Sequence, residues 1–297
     1  MTIDPKEVSI PVLHGHLLGA IGPRPIALAS TIDVEGRPNL APFSFFNVFS
    51  ANPPIAIFSP ARRGRDNTTK HTLHNVKAVP EVVINIVNYS IVQQVSLAST
   101  EYAEGVSEFN KAGLTPIASK KVKPFRVAES PVSFECKVKE VIELGTEGGA
   151  GNLVVCEILL IHIKDELLGE DGRIDQQKID LVGRMGGNWY SRANGSALFE
   201  VEKPLTTKGI GIDNIPLDIR NSSVLTGNDL GRLGNVEALP NETEVNEYKL
   251  THLSEIFLRN DSDANNLEKE LHTLAHQLLK KGKVSEAWQT LLTFNNQ

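Results

Sequence analysis

The sequence predicts a mainly β fold, a β-barrel with peripheral helices, followed by a helical C-terminal extension. Many short apolar runs bounded by Gly, Pro and Asn lie in the first two thirds of the chain, with few helical patterns between them. This pattern favours a closed or sandwiched β-architecture over a doubly wound sheet. Residues 132–138 alternate apolar and polar side chains, which indicates an antiparallel strand. The composition then changes near Pro204.

The strands follow one another along the first 204 residues. Residues 25–32 predict a strand that ends in a hairpin loop, and the apolar runs 40–50 and 54–60 continue as strands. A further strand is predicted over 81–88. A Gly-rich turn then leads into the long apolar strand 153–163.

Two helical patterns interrupt these strands. Residues 67–79 change to helical spacing, with Asn67 or Thr68 as the cap and Leu73 and Val76 on one face. Residues 91–99 predict a short helix.

The strand around residue 135 is predicted to be buried on one side only. One face carries Val132, Phe134, Cys136 and Val138, and the other carries Ser133, Glu135, Lys137 and Lys139.

The chain divides into a domain over 1–204 and an extension over 205–297. Residues 205–247 are polar and rich in Gly, Asn and Pro, which predicts an extended arm. Two apolar stripes at helical spacing follow, and a Lys-Gly-Lys break separates them, so we expect an αα-hairpin at the C-terminus. The arm and hairpin are expected to pack on the barrel or on a dimer partner.

Composition excludes several classes of protein. The formal charge of −6 argues against the wide basic face of a general nucleic-acid binder. The longest apolar runs, 82–87 and 152–163, are too short to span a bilayer, and the N-terminus lacks the pattern of a signal peptide. Cys136 and Cys156 lie in β-like segments, as buried thiols in a reducing compartment do. We therefore expect a soluble cytoplasmic protein with no nucleic-acid and no membrane partner.

The basic segment, residues 62–70, is a candidate anion site. It carries three Arg and one Lys against one Asp, and it lies between a strand ending at Ser59 and a predicted helix. Helix N-termini, guanidinium groups and hydroxyl groups together suit a phosphate. The alternative is a solvated basic loop with an ordinary helix cap.

Two other patterns have alternative interpretations. Four Phe occur within residues 43–49, where Phe43 and Phe45 would share one face of a strand and Ser44 and Phe46 the other. Such a segment could line a flat aromatic ligand, or it could be an ordinary core strand. The paired histidines have spacings that a metal could use, but none has a completing Cys or Asp neighbour and HExxH is absent, so no metal is predicted. No GxGxxG follows a strand and no GxxxxGK[ST] occurs, which argues against a Rossmann nicotinamide domain.

Residues 18–200 resemble the flavin reductase-like proteins with an FMN-binding split barrel, and the flavoredoxin-like branch is the most similar. The segments that carry the resemblance, in the family's order, are GPRPIALASTIDVEGRPNLAPFSFFNVFSANPPIAIFSP, HTLHNV, VVINIV, VSEFNKAGLTPIAS, ESPVSFECKV and VGRMGGNWY. The resemblance implies a Greek-key split barrel, FMN at a homodimer interface and no separate nucleotide domain.

The resemblance also implies a set of cofactor contacts. The family often has a short KDT element at the phosphate, whereas this chain has a longer segment there, and Arg62 and Arg63 have no counterpart. The residues implied to contact FMN are Arg24, Ser30, Thr31, Ser44, Phe45, Phe46, Asn47, Ser59, Arg65, Asn67, Thr68, Thr69, Lys70, Arg184 and Tyr190. For Arg24, a surface salt bridge is the alternative.

Two functions follow from the resemblance. One is an NAD(P)H-dependent flavin reductase, in which NAD(P)H is the co-substrate. The other is a flavoredoxin-type electron-transfer protein that takes electrons from a redox partner protein. A third alternative is an FMN-binding protein without activity of its own. No catalytic residue is predicted, because hydride transfer between nicotinamide and flavin requires no acid–base side chain.

Overall fold

The chain folds into two compact units, Met1–Phe199 and Glu200–Gln297. A computed structural model describes residues 1–103 and 105–294. Within those residues no helix is long and apolar enough to cross a membrane. Each unit has its own hydrophobic core.

The unit Met1–Phe199 is dominated by antiparallel strands. They are β1 (Ala27–Ile32), β2 (Pro38–Phe43), β3 (Phe46–Ala51), β4 (Pro54–Phe58), β5 (Glu81–Ile86), β6 (Pro116–Ile117), β7 (Arg126–Val127), β8 (Val132–Glu143), β9 (Asn152–Ile163), β10 (Leu181–Arg184) and β11 (Tyr190–Ala193). Seven of them form one sheet in the order β2-β1-β5-β8-β9-β4-β3. The pairings β1–β5 and β4–β9 join strands that are not consecutive, as a Greek-key arrangement requires.

The large sheet curls around a shared buried cluster. Side chains of six of its strands share one buried cluster, to which β2 contributes Phe43, β4 contributes Phe58 and β8 contributes Cys136. The rings of Phe43 and Phe58 lie 5.4 Å apart, although their strands are far apart in the sheet order. The mainly β prediction is therefore confirmed, with the sheet wrapped into a barrel.

The prediction that β8 is buried on one side only is wrong for its first half. Ser133 and Glu135, predicted to face solvent, are buried. The loop before β7 covers this face, and the carboxylate of Glu135 accepts hydrogen bonds from the N–H of Lys120, at 2.8 Å, and of Lys121. In the second half, Lys137 and Lys139 are exposed as predicted.

The helices of this unit are short. They are α1 (Ile10–Ala20), α2 (His71–Ala78), α3 (Val92–Leu97), α4 (Glu108–Ala112) and α5 (Gln176–Ile179). The helix predicted from residue 67 begins at His71 instead, and the residue before it, Lys70, is extended and makes no side-chain cap. The prediction of an Asn67 or Thr68 cap is therefore wrong. Asn67 has a φ of 57°, a left-handed conformation incompatible with a helix start.

The unit Glu200–Gln297 is helical. Its α-helices are α6 (Leu217–Arg220), α7 (Gly227–Leu233), α8 (Glu242–Tyr248), α9 (Ser254–Arg259), α10 (Ala264–Lys280) and α11 (Val284–Leu292), and the π-helical turn Lys249–Leu253 joins α8 to α9. The predicted C-terminal hairpin is confirmed by α10 and α11.

The predicted arm over 205–247 contains helices that the sequence analysis missed. Two of these short helices, α7 and α8, begin with capping boxes, at Thr226 with Asp229 and at Asn241 with Glu244. The packing of this extension on the barrel or on a dimer partner stays a prediction.

Candidate functional site

A cavity of about 800 Å³ opens beside the barrel and is called the first cavity. Its walls come from α1, the link between β2 and β3, the basic segment and the end of β10. The residues that line it are Ile10, Pro11, His14, Leu18, Arg24, Pro42, Phe43, Ser44, Phe45, Ser59, Ala61, Arg62, Arg63, Gly64, Arg65, Lys70, Glu101, Gly149 and Arg184.

One end of the first cavity is apolar. Phe45 is exposed in the link between β2 and β3, and its carbonyl accepts a hydrogen bond from the N–H of Ser59 at 2.8 Å. The prediction of one continuous strand over 40–50 is therefore wrong, because the strand is interrupted at Ser44 and Phe45, between β2 and β3. This break turns Phe45 toward the cavity, whereas Phe43 packs in the barrel core.

The other end is the basic segment, in which two arginines organise the backbone. Arg62 donates to the side-chain and backbone oxygens of Asn67, at 2.7 and 2.8 Å. Arg63 donates to Thr68 Oγ1 at 2.9 Å and to the carbonyl of Thr69 at 2.7 Å. Arg62 and Arg63, which the family resemblance left unassigned, hold this segment in a compact loop and also line the first cavity.

A Gly-rich turn supports the basic segment from the opposite side. Asn67 Nδ2 donates to the carbonyl of Thr146 at 3.0 Å, and the N–H of Arg62 donates to the carbonyl of Ala150 at 2.8 Å. A Cβ at Gly148 would lie 3.1 Å from the carbonyl oxygen of Arg63. Glycine at this position therefore allows the two segments to approach closely.

The charges of the basic segment are only partly compensated. Glu101 pairs with Arg63 at 2.7 Å and with Arg65, which also pairs with Asp66 at 3.1 Å. Arg62 and Lys70 have no carboxylate oxygen within 4.0 Å among the residues that the structure describes. The first cavity therefore presents positive charge that an anion could compensate.

Lys70, like Arg62 and Arg63, is half-buried. Burial, and then the charge of the nearby Arg63, lower the pKa of its ammonium group. The protonated form is thus disfavoured in the free protein, and an anion bound beside Lys70 would relieve that cost.

Arg24 and Arg184 also line the first cavity. Arg24 is 5% exposed, and its guanidinium donates to the carbonyls of Leu18 at 2.8 Å, Ile21, and Met185 at 2.9 Å. The alternative of a surface salt bridge is therefore wrong. Burial, and then the charge of Arg184, lower the pKa of Arg24. Arg184 lines the cavity, and its guanidinium carbon lies 4.7 Å from the centre of the Tyr190 ring.

Ten of the fifteen predicted contact residues line one of two cavities. The first cavity brings together Arg24, Ser44, Phe45, Ser59, Arg65, Lys70 and Arg184. A second cavity of about 780 Å³ lies across the basic segment and is lined by Asn67, Thr68 and Thr69, together with Arg62 and Arg63.

Five predicted contact residues line neither cavity: Ser30, Thr31, Phe46, Asn47 and Tyr190. Ser30 and Thr31 are fully buried in β1. Thr31 Oγ1 accepts a hydrogen bond from Asn75 Nδ2 at 3.0 Å. Contacts of these residues with a cofactor stay predictions.

The contribution of α1 to the first cavity was not predicted from the sequence. Ile10, His14 and Leu18 follow one another at intervals of four residues and line the cavity, although none of them is buried. Their spacing is a signal that could have been found. The described residues contain no group of three His, Cys, Asp or Glu side chains that could hold a metal ion.

Comparison with known proteins identifies this barrel. Residues 20–178 match the family model described as "Flavin reductase like domain". The chain belongs to the flavin reductase-like family. This assignment confirms the resemblance that the sequence segments indicated.

Known proteins are similar to this chain over about two thirds of its length. An uncharacterized protein of Aquifex aeolicus is 38% identical over 196 residues, which is 66% of this chain and 97% of that protein. The crystal structure of nitrilotriacetate monooxygenase component B from Bacillus cereus superposes with a TM-score of 0.63 and 29% identity, over 68% of this chain and 98% of that one. A Shewanella frigidimarina structure, described as a flavin reductase with a split barrel domain, gives a TM-score of 0.58 and 27% identity, over 68% and 100%. The barrel is therefore a split barrel.

The donor set of the first cavity fits a flavin nucleotide. Such a ligand combines a flat, largely apolar ring with an anionic phosphate. The cavity likewise combines Phe45 and the side chains of α1 with Arg62 and Lys70, two cations that have no carboxylate oxygen within 4.0 Å in the described part of the chain. Apolar surface and phosphate-binding groups are thus available in one space.

Proposed function

We propose that the chain is an FMN-binding flavoprotein that acts as an NAD(P)H-dependent flavin reductase. The observation that supports this best is the first cavity, where an apolar end and an incompletely compensated basic segment meet. Family membership makes a flavin the ligand to expect there.

The basic segment would hold the phosphate of FMN. Lys70 and Arg62 supply positive charge from inside the first cavity, and Arg63 and Arg65 share theirs with Glu101. Asn67, Thr68 and Thr69 belong to the same segment and line the second cavity. A single mononucleotide phosphate suits this set better than an uncharged ligand does.

The apolar end would hold the ring. Ser44, Phe45, Arg184 and the buried Arg24 all line the first cavity. Two positive charges in a poorly solvated wall favour a ligand that gains negative charge. FMN, when bound, would supply the redox chemistry, with NAD(P)H as the hydride donor. The residues of the chain bind, orient and tune it, and none is required as an acid or base.

The proposal includes a cytoplasmic homodimer. Cys136 and Cys156 are buried free thiols, as expected in a reducing compartment. Val48 and Phe49, on the edge strand β3, are exposed, which a partner barrel would cover. Light scattering tests this, and a monomeric mass would contradict it.

Anaerobic reduction tests the activity. Purified protein is expected to be yellow, to release FMN and not FAD on denaturation, and to lose its visible flavin absorbance when mixed with NADH or NADPH. Absence of flavin would contradict the proposal as a whole. Bound FMN that neither nucleotide bleaches would refute the reductase and favour the flavoredoxin-type function, in which a redox partner protein supplies the electrons.

A further inference from the structure

A buried set of hydrogen bonds joins three elements next to the basic segment. Glu108, at the start of α4, is 6% exposed. Its carboxylate accepts from Asn39 Nδ2 at 3.0 Å and from the N–H of Leu40 at 3.1 Å. Asn39 Oδ1 accepts from Thr72 Oγ1 at 2.8 Å. Glu108, Asn39 and Thr72 are called the relay.

The acceptor at Glu108 fixes the orientation of the Asn39 amide. A carboxylate oxygen accepts the hydrogen bond, so Asn39 must turn its NH₂ group toward Glu108. Its oxygen then points to Thr72, whose hydroxyl can donate. Reversal of the amide would place a donor against the Thr72 hydroxyl and leave a buried carboxylate oxygen unsatisfied.

The relay ends two residues from Lys70. Thr72 lies in the first turn of α2 and is 1% exposed. Fixing Thr72 therefore fixes the start of α2, and with it the extended residue Lys70 that precedes this helix. None of the relay residues lines the first cavity, whereas Asn39 and Glu108 line the second. The relay therefore does not touch a ligand in the first cavity, and we expect its effect there to pass through α2 and Lys70.

We propose that Glu108 and Asn39 are positioning residues for phosphate recognition, which hold Lys70 where the phosphate of FMN binds. The inference rests on the proposed function. If these residues had a purely structural role, their substitution would lower the stability of the protein or reduce its affinity for all flavins equally. A positioning role reduces the binding of a ligand that has a phosphate and spares one that lacks it.

Riboflavin and FMN separate these two roles, because they share the ring and ribityl chain and differ in the phosphate. In the wild-type full-length chain, FMN is expected to bind at least about tenfold more tightly than riboflavin. In Glu108→Gln and in Thr72→Val, the FMN dissociation constant is expected to rise about fivefold while that of riboflavin is unchanged. Thr72→Ser keeps the hydroxyl and is expected to retain the wild-type ratio.

Ser133→Ala is the matched control. It removes another buried hydroxyl, which donates to Asn85 Oδ1 at 2.8 Å, away from the basic segment. It is expected to leave the ratio of the two dissociation constants unchanged. If Glu108→Gln does not fold, the comparison of Thr72→Val with Thr72→Ser distinguishes the positioning role from the purely structural role.

Two outcomes would overturn the inference: an unchanged ratio in the relay variants, or an equal loss of affinity for both ligands. A wild-type protein that binds FMN no better than riboflavin would instead refute the phosphate site of the proposed function. The two failures are therefore distinguishable.

Discussion

Lys70→Met should weaken FMN binding while leaving the ligand-free protein at least as stable. Methionine keeps most of the length of the side chain and removes the charge. Burial and Arg63 lower the pKa of Lys70 below 10.5, so the unfolded chain binds this proton more tightly than the folded chain. Below both pKa values the charged lysine therefore costs stability, and the cost fades as the pH rises past the lowered pKa. Removing the charge removes that cost.

The loss of affinity follows from the contact that the charge would make. A hydrogen bond to a charged group contributes ~1.5–3 kcal/mol, which corresponds to a rise in the FMN dissociation constant of about 10- to 150-fold. Arg65→Met is the matched control, because the side chain of Arg65 is 68% exposed and already paired with Asp66 and Glu101. Its replacement should change the dissociation constant by less than about fivefold.

Quenching of flavin fluorescence on binding measures both constants, and thermal unfolding without FMN measures stability. The wild-type affinity should decline at alkaline pH as Lys70 loses its proton, and Lys70→Met should lack this decline. Equal effects of the two substitutions, or an unchanged constant in Lys70→Met, would refute the assignment of Lys70 to the phosphate.

Three further predictions concern buried groups. Burial raises the pKa of both Cys136 and Cys156, so neither thiol should react with a disulfide reagent until the protein unfolds; rapid labelling of native protein would contradict this. Burial lowers the pKa of His272 below 6.5. As the pH is lowered, the imidazole therefore takes up a proton in the unfolded state before it does so in the folded state, and the free energy of unfolding should decrease between about pH 7 and about pH 5. In His272→Gln, urea unfolding should show a weaker pH dependence. Trp288→Phe removes the hydrogen bond to the carbonyl of Leu233, at 3.1 Å, and should lower the free energy of unfolding by about 1–3 kcal/mol, measured in urea; no change would mean that the bond contributes nothing.

The strands were predictable because their periodicity is local. The apolar runs 81–88 and 153–163 predict two strands, and the structure has β5 and β9, each with buried side chains, at these positions. The helix α1 was missed because it buries no side chain and contains Gly15 and Gly19, so neither burial nor propensity marks it. Its role depends on lining a cavity, which only the tertiary structure reveals.

The candidate site was predictable in part, because the composition of its basic segment is also a local property of the sequence. The basic segment is evident from composition, and the structure places it at a cavity. The sequence could not predict which cations of the basic segment form ion pairs. Glu101 pairs with Arg63 and Arg65, although it lies more than thirty residues away from them in sequence. The burial of Arg24 likewise depends on Met185, 161 residues away along the chain.

The position of Glu135 shows why an alternating pattern can mislead. Its place in the strand predicts a solvent-facing carboxylate, but a loop folds over it and two backbone N–H groups satisfy it. Periodicity reports which residues share a face, and it does not report what covers that face.

The partial compensation of the basic segment also affects how fast a ligand arrives. The chain as a whole has a formal net charge of −6, whereas the basic segment carries four cations. Among the described residues, the carboxylates that form ion pairs with these cations are Asp66 and Glu101. A distant anion is therefore repelled by the whole molecule and attracted only within about 10 Å of the cavity, the range over which charges act at moderate salt. Salt weakens both the repulsion and the attraction, so the two effects on the association rate should partly cancel as the ionic strength rises. The negative surface would then slow non-specific capture of anions, while the cavity retains those that reach it.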